Sequence, residues 1–272
     1  MGTNDIPPSH VPPSYHFVGT TLLALSGALW TTTYILMFLR SRADRTYSMP
    51  LFALAVNVSW ELVMGFYVAE AWLETYVICI WLLIDMGLVY NVLLNGPSEW
   101  AHTPIVARNL GKIWLGMMVW CSVGFYAFSK WWIDNKIGAS PGKIYKGVLE
   151  GAPDTTALGF WTAQFAQTNL GVLLVVQLVV RGHSGGHSYA IWACRFVGTV
   201  LVQVFSCGYA WWVWPEAHGY WASPFSVFML VTATGSDLVY LFVMWRVRKQ
   251  EVVLPDGRKV SKETAAKMRK VR

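Results

Sequence analysis

PFSVFMLVTATGSDLVYLFVMW, residues 224–245, decides the fold. The run holds a single charge, Asp237, and stops at Arg246. About 20 mostly apolar residues suffice for a helix to cross the hydrocarbon of a bilayer. Working back through the chain, six more stretches qualify: 17–39, 50–69, 71–94, 113–132, 158–180 and 189–213. The composition agrees. Of 272 residues, 55% are hydrophobic and 13% charged, against roughly 45–50% and about 25% in soluble domains. A disordered chain and a soluble enzyme are both poor fits. The expected fold class is all-α: a polytopic membrane protein of seven transmembrane helices. A polar, Pro-rich segment (1–16) precedes the membrane domain (17–245), and a basic tail (246–272) follows it. No basic stretch precedes an apolar one at the start, so no cleavable signal peptide is expected.

Lys and Arg set the orientation, because cytosolic loops are enriched in them. Residues 1–16 carry none. The first connection carries Arg40, Arg42 and Arg45, the third Arg108 and Lys112, the fifth Arg181, and the tail from Arg246 ten more. The second and sixth connections carry none. In the fourth (133–157), Lys136, Lys143 and Lys146 are offset by Asp134, Glu150 and Asp154. The alternation places the N-terminus outside or lumenal and the C-terminus in the cytosol. The net charge of +6 is then a juxtamembrane feature facing anionic lipid, and no nucleic-acid partner is expected. Cys79, Cys121, Cys194 and Cys207 fall inside spans, where they read as packing residues.

Ionisable groups at bilayer depth are costly and commonly functional. Glu61, Asp85, Asp237 and Arg195 qualify. Asn57 and Glu61 are one helical turn apart and share a face, with Trp60, Met64 and Tyr67 beside it. Thr234 and Tyr240 flank Asp237 at three-residue spacing. Asp85 follows Trp81 by one turn, and Arg195 follows Trp192. Arg195 has two candidate partners, Asp85 and Asp237. Asn169, with Gln164 and Gln167, either lines the cavity or bonds between helices. Of the sixteen tryptophans, Trp131, Trp132, Trp211, Trp212 and Trp214 read as an interfacial belt. Trp60, Trp81 and Trp192 sit deeper, beside the polar groups. A dry pocket of acids and aromatic faces suits carbocation chemistry, since aromatic faces stabilise cations by roughly 0.5–2 kcal/mol each.

No Gly-rich phosphate loop and no metal-ligand spacing is visible. The last span lacks the lysine of an opsin, and no Asp-rich motif offers Mg²⁺ a diphosphate site. Asp85-Met86-Gly87-Leu88-Val89-Tyr90 faintly echoes Asp237-Leu238-Val239-Tyr240. A 3+1+3 arrangement of parallel repeats, and with it a proton-coupled transporter, is therefore the alternative reading.

A set of segments carries a resemblance. They are Pro12-Pro13-Ser14-Tyr15, Asn57-Val58-Ser59-Trp60-Glu61, Ser98-Glu99-Trp100-Ala101-His102-Thr103-Pro104 and Arg108-Asn109-Leu110. Further on come Arg181-Gly182-His183-Ser184-Gly185-Gly186-His187-Ser188-Tyr189, Arg195-Phe196-Val197-Gly198-Thr199, Trp214-Pro215-Glu216 and Thr234-Gly235-Ser236-Asp237. In their order they resemble the fungal integral-membrane terpene cyclases of meroterpenoid and indole-diterpene biosynthesis, the group that includes the paxilline cyclase. Met64 departs from that pattern, where a tyrosine is common.

The resemblance implies a non-redox, class II-type terpene cyclase, a cyclising isomerase or lyase. It would protonate the terminal epoxide or alkene of a prenyl chain carried on an aromatic, polyketide or indole head. It implies no cofactor and no metal, and residence in the endoplasmic reticulum; the terminal Arg269-Lys270-Val271-Arg272 loosely resembles a dibasic retrieval signal. The family's two acids carry over to Glu61 and Asp237. The expectation is Glu61 as proton donor with Asp237 hydrogen-bonded to it, the two able to exchange roles. Asn57 would orient Glu61. Trp60, Met64, Trp81, Asp85, Asn169, Trp192, Arg195 and Tyr240 would bind a lipophilic prenylated substrate. Partners beyond substrate and membrane lipid, and the oligomeric state, are left open.

Overall fold

The computed structural model describes residues 1–270. Val271 and Arg272, which end the basic run read as a retrieval signal, lie outside the described residues. Seven helices are long and apolar enough to span a membrane: α1 (Tyr15–Asp44), α2 (Leu51–Val68), α3 (Trp72–Glu99), α4 (Pro104–Asp134), α5 (Thr155–Arg181), α6 (Tyr189–Val213) and α7 (Pro224–Arg248). α2 is the most deeply buried of them. Local chemistry sets several ends. Asp154 caps α5, its carboxylate accepting from the backbone of Thr156 and Ala157 at 2.9 and 3.0 Å. Gly182 ends α5 in the left-handed region (φ 63°), a conformation that costs glycine little. Ser188 caps α6, and Ser223 caps α7 just ahead of Pro224.

Two helices are not regular. α2 ends in a π-helical turn at Met64–Val68, and α6 passes through a π-helical stretch at Val200–Ser206. Each widened turn accommodates one residue more than an α-helical turn does.

An odd number of spans puts the connections on two faces. On the face of the N-terminus, the 135–154 connection folds onto residues 1–14. Lys143 is 1% exposed. Its amine lies 3.0 Å from Asp5 Oδ2 and 3.2 Å from Asp154 Oδ1, and 5.1 Å from the Trp214 ring centre. Ile6 donates to the carbonyl of Gly142 at 2.8 Å. A Cβ on Gly142 would fall 2.2 Å from the Ile6 carbonyl oxygen, so this crossing requires glycine. The net effect is a strap across that end of the bundle. Trp132 and Trp214, expected in the interfacial belt, are buried in it instead, at 8% and 1% exposure. Trp132 donates its indole N–H to the Asp154 carbonyl at 3.0 Å. Trp131 and Trp212 do face outward.

On the opposite face, the segment expected as a basic tail begins with an antiparallel hairpin, β1 (Glu251–Val253) and β2 (Lys259–Ser261), followed by α8 (Lys262–Lys270). Lys259 is buried, 3.4 Å from Asp44 and 3.8 Å from Glu251. Asp44 also accepts from Arg40 Nε at 2.8 Å and the Gly186 amide at 3.0 Å. α4 begins at Pro104, nine residues before the span expected at 113, because its first turns are too polar to pass a hydropathy test.

Candidate active site

Asn57 stands at the centre of the first polar cluster. It lies on α2 with Glu61 one turn further on, so both point toward α1 and α3. Its side-chain nitrogen donates to Asp85 Oδ2 on α3 at 2.7 Å, to Tyr34 Oη on α1 at 2.9 Å, and to Glu61 Oε1 at 3.2 Å. Two amide hydrogens are thus divided among three acceptors. Glu61 and Asp85 are both fully buried. Glu61 Oε2 and Asp85 Oδ1 have no partner among the described residues. Glu61 is ten residues along α2, about 15 Å of axial rise from its start. The cluster is therefore at mid-membrane depth.

The second cluster joins α6 and α7. Arg195 pairs with Asp237, which decides between the two partners open to it; Asp85 is taken by Asn57. Arg195 also lies over the Tyr240 ring, 5.4 Å from its centre. Trp192 donates its indole N–H to the Asp237 carbonyl at 2.9 Å and stacks on Phe196 at 5.5 Å. His187, in the connection before α6, meets the Tyr240 ring edge-on at 5.7 Å. Burial, with Arg181 nearby, holds its imidazole well below the usual pKa, so it is neutral.

One apolar core borders both clusters. It contains Trp30, Tyr34, Leu170, Leu174 and Tyr240, with Trp81 and Trp192 packed against it. Tyr34 lies 5.5 Å from Trp30 and 6.3 Å from Trp81, between ring centres. Trp81 donates to Thr31 Oγ1 at 2.8 Å. Trp60 donates to Thr162 Oγ1 of α5 at 3.0 Å, and Met64 Sδ lies 3.9 Å from that same hydroxyl.

The expected residues are thus mostly gathered around one aromatic core, with two corrections. Glu61 is not hydrogen-bonded to Asp237. The partner position is occupied by Asp85, reached through Asn57, while Asp237 is neutralised by Arg195. Asn169 bonds the Phe165 carbonyl of its own helix at 2.8 Å and is only partly buried, so it belongs to neither cluster. The echo of α3 in α7 fails in detail. Tyr90 follows its acid by five residues and is 52% exposed, whereas Tyr240 follows by three and is buried. Sequence reading passed over Tyr34 and Trp30, whose apolar surroundings resemble those of any core aromatic, and the Asp5–Lys143–Asp154 triad. Among the described residues, no group of three His, Cys, Asp or Glu side chains is arranged to hold a metal ion.

Comparison with known proteins places this arrangement. Residues 7–250 match the family model of Pyr4-like transmembrane terpene cyclases, and the chain belongs to that family. It is 38% identical over 257 residues to the terpene cyclase ascF of Acremonium egyptiacum, covering 94% of this chain and 92% of that protein. It is 32% identical to the Pyr4-family terpene cyclase mfmH of Annulohypoxylon moriforme (91% and 94% covered) and 34% identical to the terpene cyclase macJ of Penicillium terrestre (84% and 81%). No solved structure matches the chain. The protein is an integral-membrane enzyme that cyclises terpenoids.

Proposed function

We propose that this cyclase works by a class II-type, non-redox mechanism, with Glu61 as the proton donor. The observation that carries the reading is the contrast in counter-charge between the two clusters. Asp237 faces a guanidinium, as a carboxylate does. Among the described residues, Glu61 and Asp85 share one neutral amide and face no cation. A proton held between two such carboxyls removes their mutual repulsion and supplies an acid.

In this reading the Glu61 proton passes to the oxygen of a terminal epoxide, or to a terminal alkene carbon. The C–O bond breaks, or the π bond is consumed, leaving a tertiary cation. Each neighbouring alkene then donates its π electrons in turn, and the chain closes ring by ring. Loss of a proton, or attack by a substrate hydroxyl followed by loss of its proton, ends the sequence. Product and substrate have equal mass, and the proton returns to the acid pair. Asn57 positions Glu61. Trp30, Tyr34, Trp81, Trp192 and Tyr240 present rings to the migrating charge and keep the chain coiled and dry. Asp237 and Arg195 fix the far wall. The substrate is a lipophilic prenyl chain on an aromatic, polyketide or indole head. We place the enzyme in the endoplasmic reticulum, with its C-terminal face toward the cytosol.

The test is a product assay on microsomes carrying wild type, Glu61→Gln, Asp85→Asn or Asp237→Asn. Each receives farnesyl and geranylgeranyl aromatics with and without a terminal epoxide. An isomer of unchanged mass from wild type, and none from Glu61→Gln at equal expression, is expected. Cyclisation by Glu61→Gln at the wild-type rate would refute the assignment.

A further inference from the structure

We infer that Gln164 and Ser226 form a subsite for an oxygen-bearing group of the substrate, a hydroxyl or carbonyl, on the side of the core away from Glu61. The inference rests on the cyclase reading above and deepens it.

Gln164 is fully buried on α5, and neither its amide oxygen nor its amide nitrogen has a partner among the described residues. An amide placed so, at membrane depth, is one of the costliest arrangements a side chain can adopt, since it forgoes water and gains nothing. The register of α5 against α7 shows what it faces. Thr168 Oγ1 lies 3.5 Å from the Met229 carbonyl. A Cβ on Gly171 would sit 3.4 Å from the Ala233 carbonyl. Trp161 stacks on Phe225 at 5.9 Å. These contacts bracket Gln164, one turn before Thr168, and bring it level with Ser226. The Ser226 hydroxyl is likewise fully buried and unpartnered.

The same side of the bundle carries two more such groups. Thr199 follows Arg195 by one turn of α6, and Gln203 comes one turn later, where the helix is π-helical. Thr199 Oγ1 and Gln203 Oε1 are buried without partners. From the Asp237–Arg195 pair, unsatisfied oxygen and nitrogen atoms therefore run toward the strapped face along the eleven residue steps of α7 between Asp237 and Ser226, about 16 Å. At the strapped face itself a cavity of about 370 Å³ is lined by Trp132, Trp161 and Tyr220, though not by these four residues. Trp161 is only three residues from Gln164.

Helix packing alone would have filled this stripe with leucine. Buried hydrogen-bonding atoms left open are what a site looks like when its partner arrives with the ligand. Other unpartnered buried atoms, Asn91 Oδ1 on α3 and Trp114 Nε1 and Ser129 Oγ on α4 among them, are scattered singly, whereas Gln164 and Ser226 stand level on two packed helices, as the polar end of a mostly hydrocarbon terpenoid requires. Gln164 can both donate and accept, which suits a phenol hydroxyl or a carbonyl. A water held permanently at the same place has the same chemistry, and the test separates the two.

The experiment uses full-length wild type and Gln164→Leu in detergent micelles, with Ser226→Ala as a milder second variant. Two probes are compared, farnesylresorcinol and farnesylbenzene, which differ only in their ring oxygens. Thermal stability is measured with and without each, and turnover is measured with their terminal epoxides. The ligand-free Gln164→Leu protein is expected to melt higher than wild type, because an unsatisfied amide has been exchanged for methyl groups. Wild type should bind farnesylresorcinol at least tenfold more tightly than farnesylbenzene, and Gln164→Leu should lose that preference. Turnover of the oxygenated epoxide should fall about 10- to 100-fold in kcat/KM. A lower melting temperature for the ligand-free variant would show that Gln164 serves the fold and would overturn the inference. So would wild type showing no preference for the ring oxygens, or a preference that survives in the variant, as a retained water predicts. Preferential binding without turnover of either epoxide would instead count against the cyclase reading alone.

Discussion

Lys143→Met is the sharpest probe of the strap over the N-terminal face. The amine is buried between Asp5 and Asp154 at 3.0 and 3.2 Å. Removing it leaves two carboxylates confronting each other out of water. Breaking a buried pair in this way costs roughly 3–5 kcal/mol. The two acids are not equally exposed to the loss. Asp154 keeps its helix-capping bonds to Thr156 and Ala157. Asp5 keeps one, from the Ile144 amide at 3.1 Å. The strain should therefore be relieved by release of residues 1–14, not by melting of α5. At about 1.4 kcal/mol per decade, the strap should open roughly two to three and a half decades more often. Hydrogen–deuterium exchange in detergent reads this directly. Amides of 1–14 and 135–150 should exchange about 100- to 4,000-fold faster in Lys143→Met, with those at the centre of α5 unchanged. Asp5→Asn added to Lys143→Met should recover about half of the loss, since one of the opposed charges has gone. Because the strap shuts one end of a cavity that must stay dry, epoxide turnover by the single variant should yield diol by water capture. Wild-type exchange rates in Lys143→Met would refute the reasoning.

Other outcomes follow from the same geometry. Arg195→Met should lower the melting temperature by roughly 5–15 °C, for a loss of about 3–5 kcal/mol, by leaving Asp237 charged and unpaired. Arg195→Met with Asp237→Asn should regain most of that stability without regaining product, and failure of the double variant to refold would count against the pairing. Acid should weaken the protein through its buried histidines. Burial, aided by Lys143, holds His218 down at about 3, and burial with Arg181 holds His183 at about 4, while an unfolded histidine titrates near 6.5. Below about pH 6.5 the unfolded chain takes up protons that the native one refuses. Stability is therefore complete above that pH and declines by about 1.4 kcal/mol per unit for each group down to its folded value. A melting temperature that is flat from pH 7 to pH 5 would contradict this, and His218→Gln should make the decline shallower. Lys259→Met should free the C-terminal hairpin by removing the cation beside buried Asp44. Proteolysis between residues 249 and 261 then becomes faster, with the transmembrane helices intact.

The spans and their number were legible because hydropathy over 20 residues needs no knowledge of neighbours. What sits opposite what was not. Helices apolar on all sides carry no stripe that announces their rotation or partner. Arg195 could thus be assigned to either of two acids, and Glu61 was joined to the wrong one. Asn57 and Glu61 were readable because one helical turn fixes their shared face. Asp85, on another helix, completes their cluster only through folding. Trp132 and Trp214 misled for a related reason, since an indole near a membrane boundary looks the same whether it faces lipid or lies beneath a strap. The balanced charges of 133–157 did hold a signal. Three lysines offset by three acids in a loop suggest internal pairing, although Asp5, the second partner of Lys143, lies far away in the chain.

The π-helical stretches at 64–68 and 200–206 bear on how such an enzyme can diversify. Each amounts to a single residue held in surplus within a spanning helix. Deleting one residue there returns the helix to ordinary α geometry at little local expense. Side chains on either side keep nearly their facing, because the widened turn had absorbed the surplus residue, whereas the same deletion in a regular α-helix would turn every later side chain by about 100° and shift it by about 1.5 Å. In α6 the stretch lies between Arg195 and the buried Trp214, so a lost codon would reshape the wall between them while both ends of the helix keep their facing. A change of one residue in length, ordinarily lethal inside a membrane span, becomes at these two places a local edit of the cavity wall that the rest of the helix does not feel.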